Sequence, residues 1–219
     1  MTVEVSLCPE LAGLLIGVVE FANVQVRPSS VELRAWSDEV AQRAAPESEF
    51  EVHTELRQQI RQMLRHGQFK ASGRSKPAQE YLLRCAVQDG KLPTINAPVD
   101  ILNTVSLGCG LPISLLSIAK CSRRLHVRRG RSGESYVFNA AGQELNVVDL
   151  VVVCDQNQTP DRPVGSPIKD SMAGKIEIGD HCLVAIVYAP QTASERLLDA
   201  THSLIEQFDK YGVGSGVAF

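Results

Sequence analysis

The stretch Lys91 to Leu111, KLPTINAPVDILNTVSLGCGL, constrains the chain more than any other. It carries little charge and mixes turn residues with apolar ones. Pro93 and Pro98 restrict the backbone on both sides of Asn96 and push the residues before them into extended conformations. Asp100 follows and is placed to cap a helix with its side chain. Ile101, Leu102, Val105 and Leu107 give that helix an apolar surface. Gly108 and Gly110 stop it, and Pro112 prevents its resumption. The expected unit is an extended segment, a polar corner at Asn96 and a short buried helix from about Asp100. Asn96, Asp100 and Asn103 are hydrogen-bonding side chains in an otherwise apolar element, and each needs a partner if buried.

Helices are expected mainly before this unit and strands after it. Val3, Val5 and Leu7 alternate as in a half-buried strand, and Leu14 to Val26 is apolar enough for a central one. Ser29 or Ser30 caps a helix to about Ala45, with Leu33, Trp36 and Val40 inward, until Pro46 interrupts. A second helix covers about Glu51 to His66. Residues 67–77 form a basic loop. Pro77 opens a third helix with Tyr81, Leu82 and Cys85 inward. Beyond Pro112, Leu125–Val127 and Tyr136–Phe138 flank GRSG as a hairpin. Val147–Cys154 reads as a buried strand and 155–163 as a polar loop. Ile176 and Ile178 begin a strand segment, and Cys182–Tyr188 form another strand. Ser194 caps the last helix to about Tyr211, with Leu197, Leu198, Thr201, Leu204, Ile205 and Phe208 inward. Residues 213–219 read as a frayed tail. This order lacks a strict βαβ alternation. It predicts an α/β (α+β) domain, a mixed sheet with helices outside.

A chain of 219 residues is long enough for one domain with a full core. The expected organisation is a single domain over 1–219. It has N-terminal strands and a helix in 1–50, a core in 51–190, and a C-terminal helix and tail in 191–219. No apolar run reaches the roughly 18 residues of a membrane helix. The N-terminus has acids and no basic segment, unlike a signal peptide, so a cytoplasmic protein with no membrane association is expected. Six cysteines without C-x-x-C spacing are expected to be reduced thiols.

The net charge is only −3, but the charges are segregated: residues 1–55 hold ten acids and three arginines. Arg57, Arg61, Arg65, Lys70, Arg74 and Lys76 lie in a block without acids. Arg128, Arg129 and Arg131 belong to a second such block, 120–131. Arg57, Arg61 and Arg65 recur every four residues and would make one basic stripe on a helix. Two basic blocks in an acidic chain point to an anionic partner or, equally from charge alone, to solvated faces.

Familiar catalytic signatures are missing. There is no G-x-S-x-G, Walker loop, dinucleotide fingerprint or H-E-x-x-H. The five histidines are scattered, so neither a metal site nor a cofactor is expected. The segment 165–175, GSPIKDSMAGK, sets Lys169, Asp170 and Ser171 between Pro167 and Gly174, a pattern that suits a pocket wall or a surface turn.

The run LPTINAPVDILNTVSLGCGLPI resembles the core of the B3/4 domain, the editing module of the phenylalanyl-tRNA synthetase beta chain. It is closer still to the "LPxINxxVDxxNxVSLxxGLP" run of free-standing B3/4 proteins. The matching residues run from Leu92 and Pro93 through Asn96, Asp100 and Asn103 to Pro112. A weaker likeness covers 165–175. The resemblance implies a three-layer domain with a β-sandwich in its core. It also implies a tRNA partner held at its acceptor end, without DNA, and hydrolysis in trans of the ester on mischarged tRNA. Such a second sieve exists because one methylene discriminates by only ~1–3 kcal/mol.

On that implication, Asp170, Ser171 and Asn96 are the catalytic candidates. Pro93, Thr94, Asp100, Asn103, Ser114 and Lys169 would bind substrate, and the nine cations named above would hold phosphates. Asp170 falls near a glutamate of the synthetases. Leu102 stands where they tend to have threonine and Ser114 where they have histidine, so the amino acid is not carried over. The alternative is a module that binds RNA or an amino acid without turnover. The editing scheme requires Asn96 and Asp170 to share one cleft.

Overall fold

The structure is a computed structural model that describes residues 2–45 and 47–219, with the side chains of 47–53 and Arg74 outside the description. The expected interruption at Pro46 therefore lies outside the described residues. The architecture is α+β, with two four-stranded sheets and a two-stranded ribbon. In the first sheet, β1 (Glu4–Leu7) pairs in parallel with β4 (Arg124–Arg129). Strands β7 (Val151–Asp155) and β8 (Arg162–Gly165) follow antiparallel. The second sheet runs β10 (Ser215–Ala218), β2 (Leu14–Ala22), β9 (Leu183–Pro190), β3 (Ile113–Ser117), all antiparallel. Strands β3, β7 and β9 are buried at every position, which explains their near-continuous apolar sequences.

Among the described residues five α-helices accompany the sheets: α1 (Val31–Ala44), α2 (Glu47–Leu64), α3 (Ala78–Asp89), α4 (Ala97–Cys109) and α5 (Ser194–Lys210). Helix α4 packs on both α1 and α5, and α5 covers β2 and β10. Phe21 of β2 stacks on Phe208 of α5 with ring centroids 3.8 Å apart. Gly17 makes that packing possible, because a Cβ there would meet Thr201 at 2.6 Å.

Several local expectations are corrected. Helix α4 starts at Ala97, and Asn96, not Asp100, is its cap, since Pro98 is tolerated in a first turn. The 125–138 hairpin does not form: β4 pairs with β1 and β7, while β5 (Ser135–Val137) pairs with β6 (Glu144–Asn146). The supposed tail contains β10, paired with β2 from Ser215↔Ala22 to Ala218↔Val19. Ile176 and Ile178 lie outside any strand, and Ile178 is exposed. The α1 core side is Leu33, Ser37, Ala41 and Ala44, which leaves Trp36 half-buried. Tyr81 and Leu198 are exposed, and Ala193 rather than Ser194 precedes the last helix as its cap.

Candidate functional site

The Asn96 corner is built by helix capping. Asn96 is extended, and its Oδ1 accepts from Val99 N–H at 3.1 Å. Asp100, one turn on, is buried. Its Oδ2 accepts from Ser29 Oγ at 2.5 Å and its Oδ1 from Ile95 N–H at 2.8 Å. Burial pushes the Asp100 carboxyl up from its ordinary range, and the bonds from Ser29, Ile95 and Asn96 oppose that rise. The corner is thus a structural knot that ties α1 to α4. Asn96→Ala should cost about 1 kcal/mol of folding stability through the lost cap, read as a lower urea midpoint at unchanged m.

The second corner hangs on β3. Asp170 Oδ2 accepts from Leu115 N–H at 3.0 Å, and Oδ1 accepts from Ser166 N–H at 3.3 Å. Gly165 permits this approach, because a Cβ there would lie 2.7 Å from Asp170 Oδ1. Ser114 Oγ donates to the Ser166 carbonyl at 3.2 Å and lies 3.0 Å from Tyr188 Oη. Tyr136 Oη donates to the Lys169 carbonyl at 2.6 Å and lies 2.8 Å from Ser166 Oγ. Burial pushes the Asp170 carboxyl up to about 6, against the bonds from Ser114, Leu115 and Ser166. The same burial raises both tyrosines. Ser171 is buried, and its Oγ accepts from Ala173 N–H at 3.1 Å. The Lys169 Nζ lies 3.9 Å from the Phe138 ring centroid. Ser166, Tyr136 and Tyr188 were not singled out from sequence. A tyrosine within an otherwise aliphatic strand is the one available signal, since its hydroxyl must find a partner when buried.

No described hydrogen bond joins the two corners. Asn96 caps the N-terminus of α4, whereas Asp170 clasps the strand that follows its C-terminus. Ala78 N–H at the start of α3 donates to Pro167 O at 2.9 Å, which fixes the Asp170 segment beside the α3 N-terminus. Two cavities can be described. A cleft of about 1110 Å³ lies among α1, α2, α4 and α5, with Trp36, Val105 and Arg196 in its walls. A small one, about 100 Å³, is lined by Pro93, Thr94 and Asp100. Neither is lined by Asn96, Asp170 or Ser171. Asn103 is half-buried on α4 and lines neither.

The basic blocks are largely occupied. Arg128 is buried and donates to both Glu134 and Asp161. Arg131 pairs with Asp161 at 2.6 Å, and Arg61 pairs with Glu80. Arg129 donates to the carbonyls of Met63 and Leu64 at the end of α2. Arg57 donates to Thr54 at 3.3 Å. Arg65, Lys70 and Lys76 are exposed, with no side-chain hydrogen bond or ion pair among the described residues. Of the nine cations, these three have no side-chain partner among the described residues, and Arg74 lies outside the description.

Among the described residues no group of three or more His, Cys, Asp or Glu side chains could hold a metal ion. All six cysteines are free. Among the described residues, no helix is long and apolar enough to cross a membrane.

Fold and site together define an α+β domain whose central helix is bracketed by two polar corners. The model of the B3/4 domain family matches residues 68–165 of the chain. The matched range contains Asn96, Asp100, Asn103 and Ser114 and ends five residues before Asp170. The structure is similar to a crystal structure of an N-terminal fragment of the phenylalanyl-tRNA synthetase beta-subunit from Pyrococcus horikoshii. The likeness has 10% identity and a TM-score of 0.43, and covers 54% of this chain and 40% of that one. No curated protein matches the chain.

Proposed function

We propose that this chain is a binding module on the B3/4 scaffold, one that holds an aminoacyl group or an RNA end without hydrolysing it. The observation that carries this reading is the engagement of the three side chains that hydrolysis would use. Asp170 spends both oxygens on main-chain N–H groups, Ser171 accepts from Ala173, and Asn96 caps α4. A water-activating group must have hydrogen-bonding capacity directed at the substrate. Gln79, one residue beyond the contact with Pro167, supports a ligand nearby. Its amide is buried, and neither its nitrogen nor its oxygen has a partner among the described residues. Such an amide complements a group that both donates and accepts, as peptide-like and nucleobase edges do.

The test is binding and turnover side by side. Over a panel of mischarged tRNAs, deacylation should not exceed the rate in buffer. If tRNA binds, three uncommitted cations imply a slope of log K against log salt near −3, whereas nine would give about −8. Ester hydrolysis that is lost in Asp170→Asn would overturn the module reading.

One observation favours that second reading, a deacylase: a buried carboxyl raised to about 6 is poised for proton transfer near neutrality. It requires a rate that climbs as pH rises through about 6 and the carboxylate forms.

A further inference from the structure

We propose that the small cavity between α1 and the Lys91–Asp100 segment binds a small zwitterion, a free α-amino acid with at most a short side chain. It lies at the N-terminal end of α4 and does not depend on the B3/4 reading. Its walls are Arg34, Ser37, Asp38, Lys91, Thr94 and Asp100, with Leu92 and Pro93 between them. The charges are mixed. Arg34 and Lys91 are exposed cations with no side-chain hydrogen bond or ion pair among the described residues. Asp38 sits one turn after Arg34 on the same helix face, where an i,i+4 pair would be expected to close, yet no ion pair joins them among the described residues. Asp100 and Ser37 form the buried floor, at 5% and 8% exposure.

The direction of one hydrogen bond decides what the floor offers. Thr104 has a single hydroxyl proton, and its Oγ1 lies 2.6 Å from the Asp100 carbonyl, which can only accept. The Thr104 hydroxyl shares that proton with Ser37 Oγ, 3.0 Å away, to which it is also the donor. One lone pair of Ser37 then remains to accept. With the Asp38 carboxylate it makes a pole for an ammonium group. Arg34, Lys91 and the Thr94 hydroxyl make the opposite pole, for a carboxylate.

Charge and size exclude the rivals. Inorganic phosphate would meet Arg34 and Lys91 but also face Asp38 and Asp100. A bare cation would meet the two acids but face both bases. A zwitterion satisfies both poles. At about 100 Å³ the cavity is below the ~300 Å³ of a drug-sized site, so a nucleoside does not fit. Taking roughly 15 Å³ per water-sized group gives room for about seven non-hydrogen atoms, the range from glycine to serine, with threonine one atom larger.

The experiment is calorimetric titration of the full chain with glycine, alanine, serine, threonine, phenylalanine and inorganic phosphate. At least one of the four small amino acids should bind, with amide shifts at Leu92, Thr94 and Ile95 in NMR, and phenylalanine should not. Arg34→Gln and Asp38→Asn, both on the helix surface, should each weaken binding about tenfold or more. The proposal fails if none of the four binds at about 10 mM, an affinity weaker than ~3 kcal/mol. It also fails if phosphate binds and Asp38→Asn tightens it, or if both variants leave amino-acid affinity unchanged.

Discussion

Arg128→Ala is expected to lower folding stability by about 3–5 kcal/mol, the usual cost of removing one member of a buried charge cluster. For a chain of this length that is a fall in Tm of roughly 6–20 °C. Arg128 has a side chain only 6% exposed, and its guanidinium fork is shared between Glu134 and Asp161. It donates to Asp161 at 2.8 Å and to Glu134 at 2.8 and 2.7 Å. Its removal leaves two carboxylates, themselves 19% and 14% exposed, without their main partner. Were Arg128 a phosphate contact, the same change would weaken RNA binding and leave stability nearly untouched. Thermal melting separates the two outcomes directly.

The cluster also has a pH signature. Burial raises the Glu134 carboxyl, but the bonds from Arg128 and from Arg131 N–H outweigh it and hold it below the ordinary range. Arg128 holds Asp161 low as well, against its own burial. Carboxyls depressed in the folded state stabilise it at pH above their unfolded values, and that contribution is lost as pH falls through the folded ones. The wild-type chain should therefore lose more stability on acidification than Arg128→Ala. Protonating Glu134 and Asp161 in the variant should recover part of the loss. Equal slopes for the two proteins below pH 4 would refute this account.

What the sequence made legible was local periodicity. The spacing of Leu33, Leu82 and Leu204 places α1, α3 and α5 within a few residues, and the apolar runs place β2 and β9. What it hid was long-range pairing. Strand β4 pairs with β1, 120 positions earlier at Ser6↔His126, so its hairpin signal was outcompeted by partners that no local pattern names. Residues 215–218 show no alternation, yet Gly216 can lie against Phe21, where a Cβ would come within 2.8 Å of the ring. Pro163 made β8 look like loop, although it sits at the register shift between Val153 and Cys154, where a strand tolerates proline. The site was half legible for the same reason. Asn96 and Asp170 stand out as polar residues in apolar surroundings, but their partners are main-chain N–H groups, which have no sequence signature. An N–H of Leu115, 55 residues from Asp170, turns a presumed catalytic acid into a clasp.

Asp170→Ala should therefore cost about 2–6 kcal/mol, because it strips two buried main-chain N–H donors, Leu115 and Ser166, of their acceptor at ~1–3 kcal/mol each. The clasp joins the start of β3 to the segment after β8, so amide exchange of Leu115 and Ser166 should accelerate before that of the central strand β9. The pH dependence runs opposite to that of the Arg128 cluster. Burial raises the folded carboxyl to about 6, above its ordinary 3.8, so the folded state holds the proton more tightly than the unfolded chain. Its contribution to stability is greatest below the lower value and declines as pH rises between the two. Above about 6 the folded chain carries the buried carboxylate at a penalty of roughly 3 kcal/mol, some two pKa units at ~1.4 kcal/mol each. Asp170→Asn removes the charge but turns an amide N–H₂ towards one of the two donors, so it loses one bond and the titration together. Between pH 4 and 7 the asparagine variant should show a flatter stability profile than wild type and cross it on the alkaline side. If both profiles fall in parallel over that range, Asp170 does not titrate in the fold, and the poised acid of the hydrolytic reading goes with it.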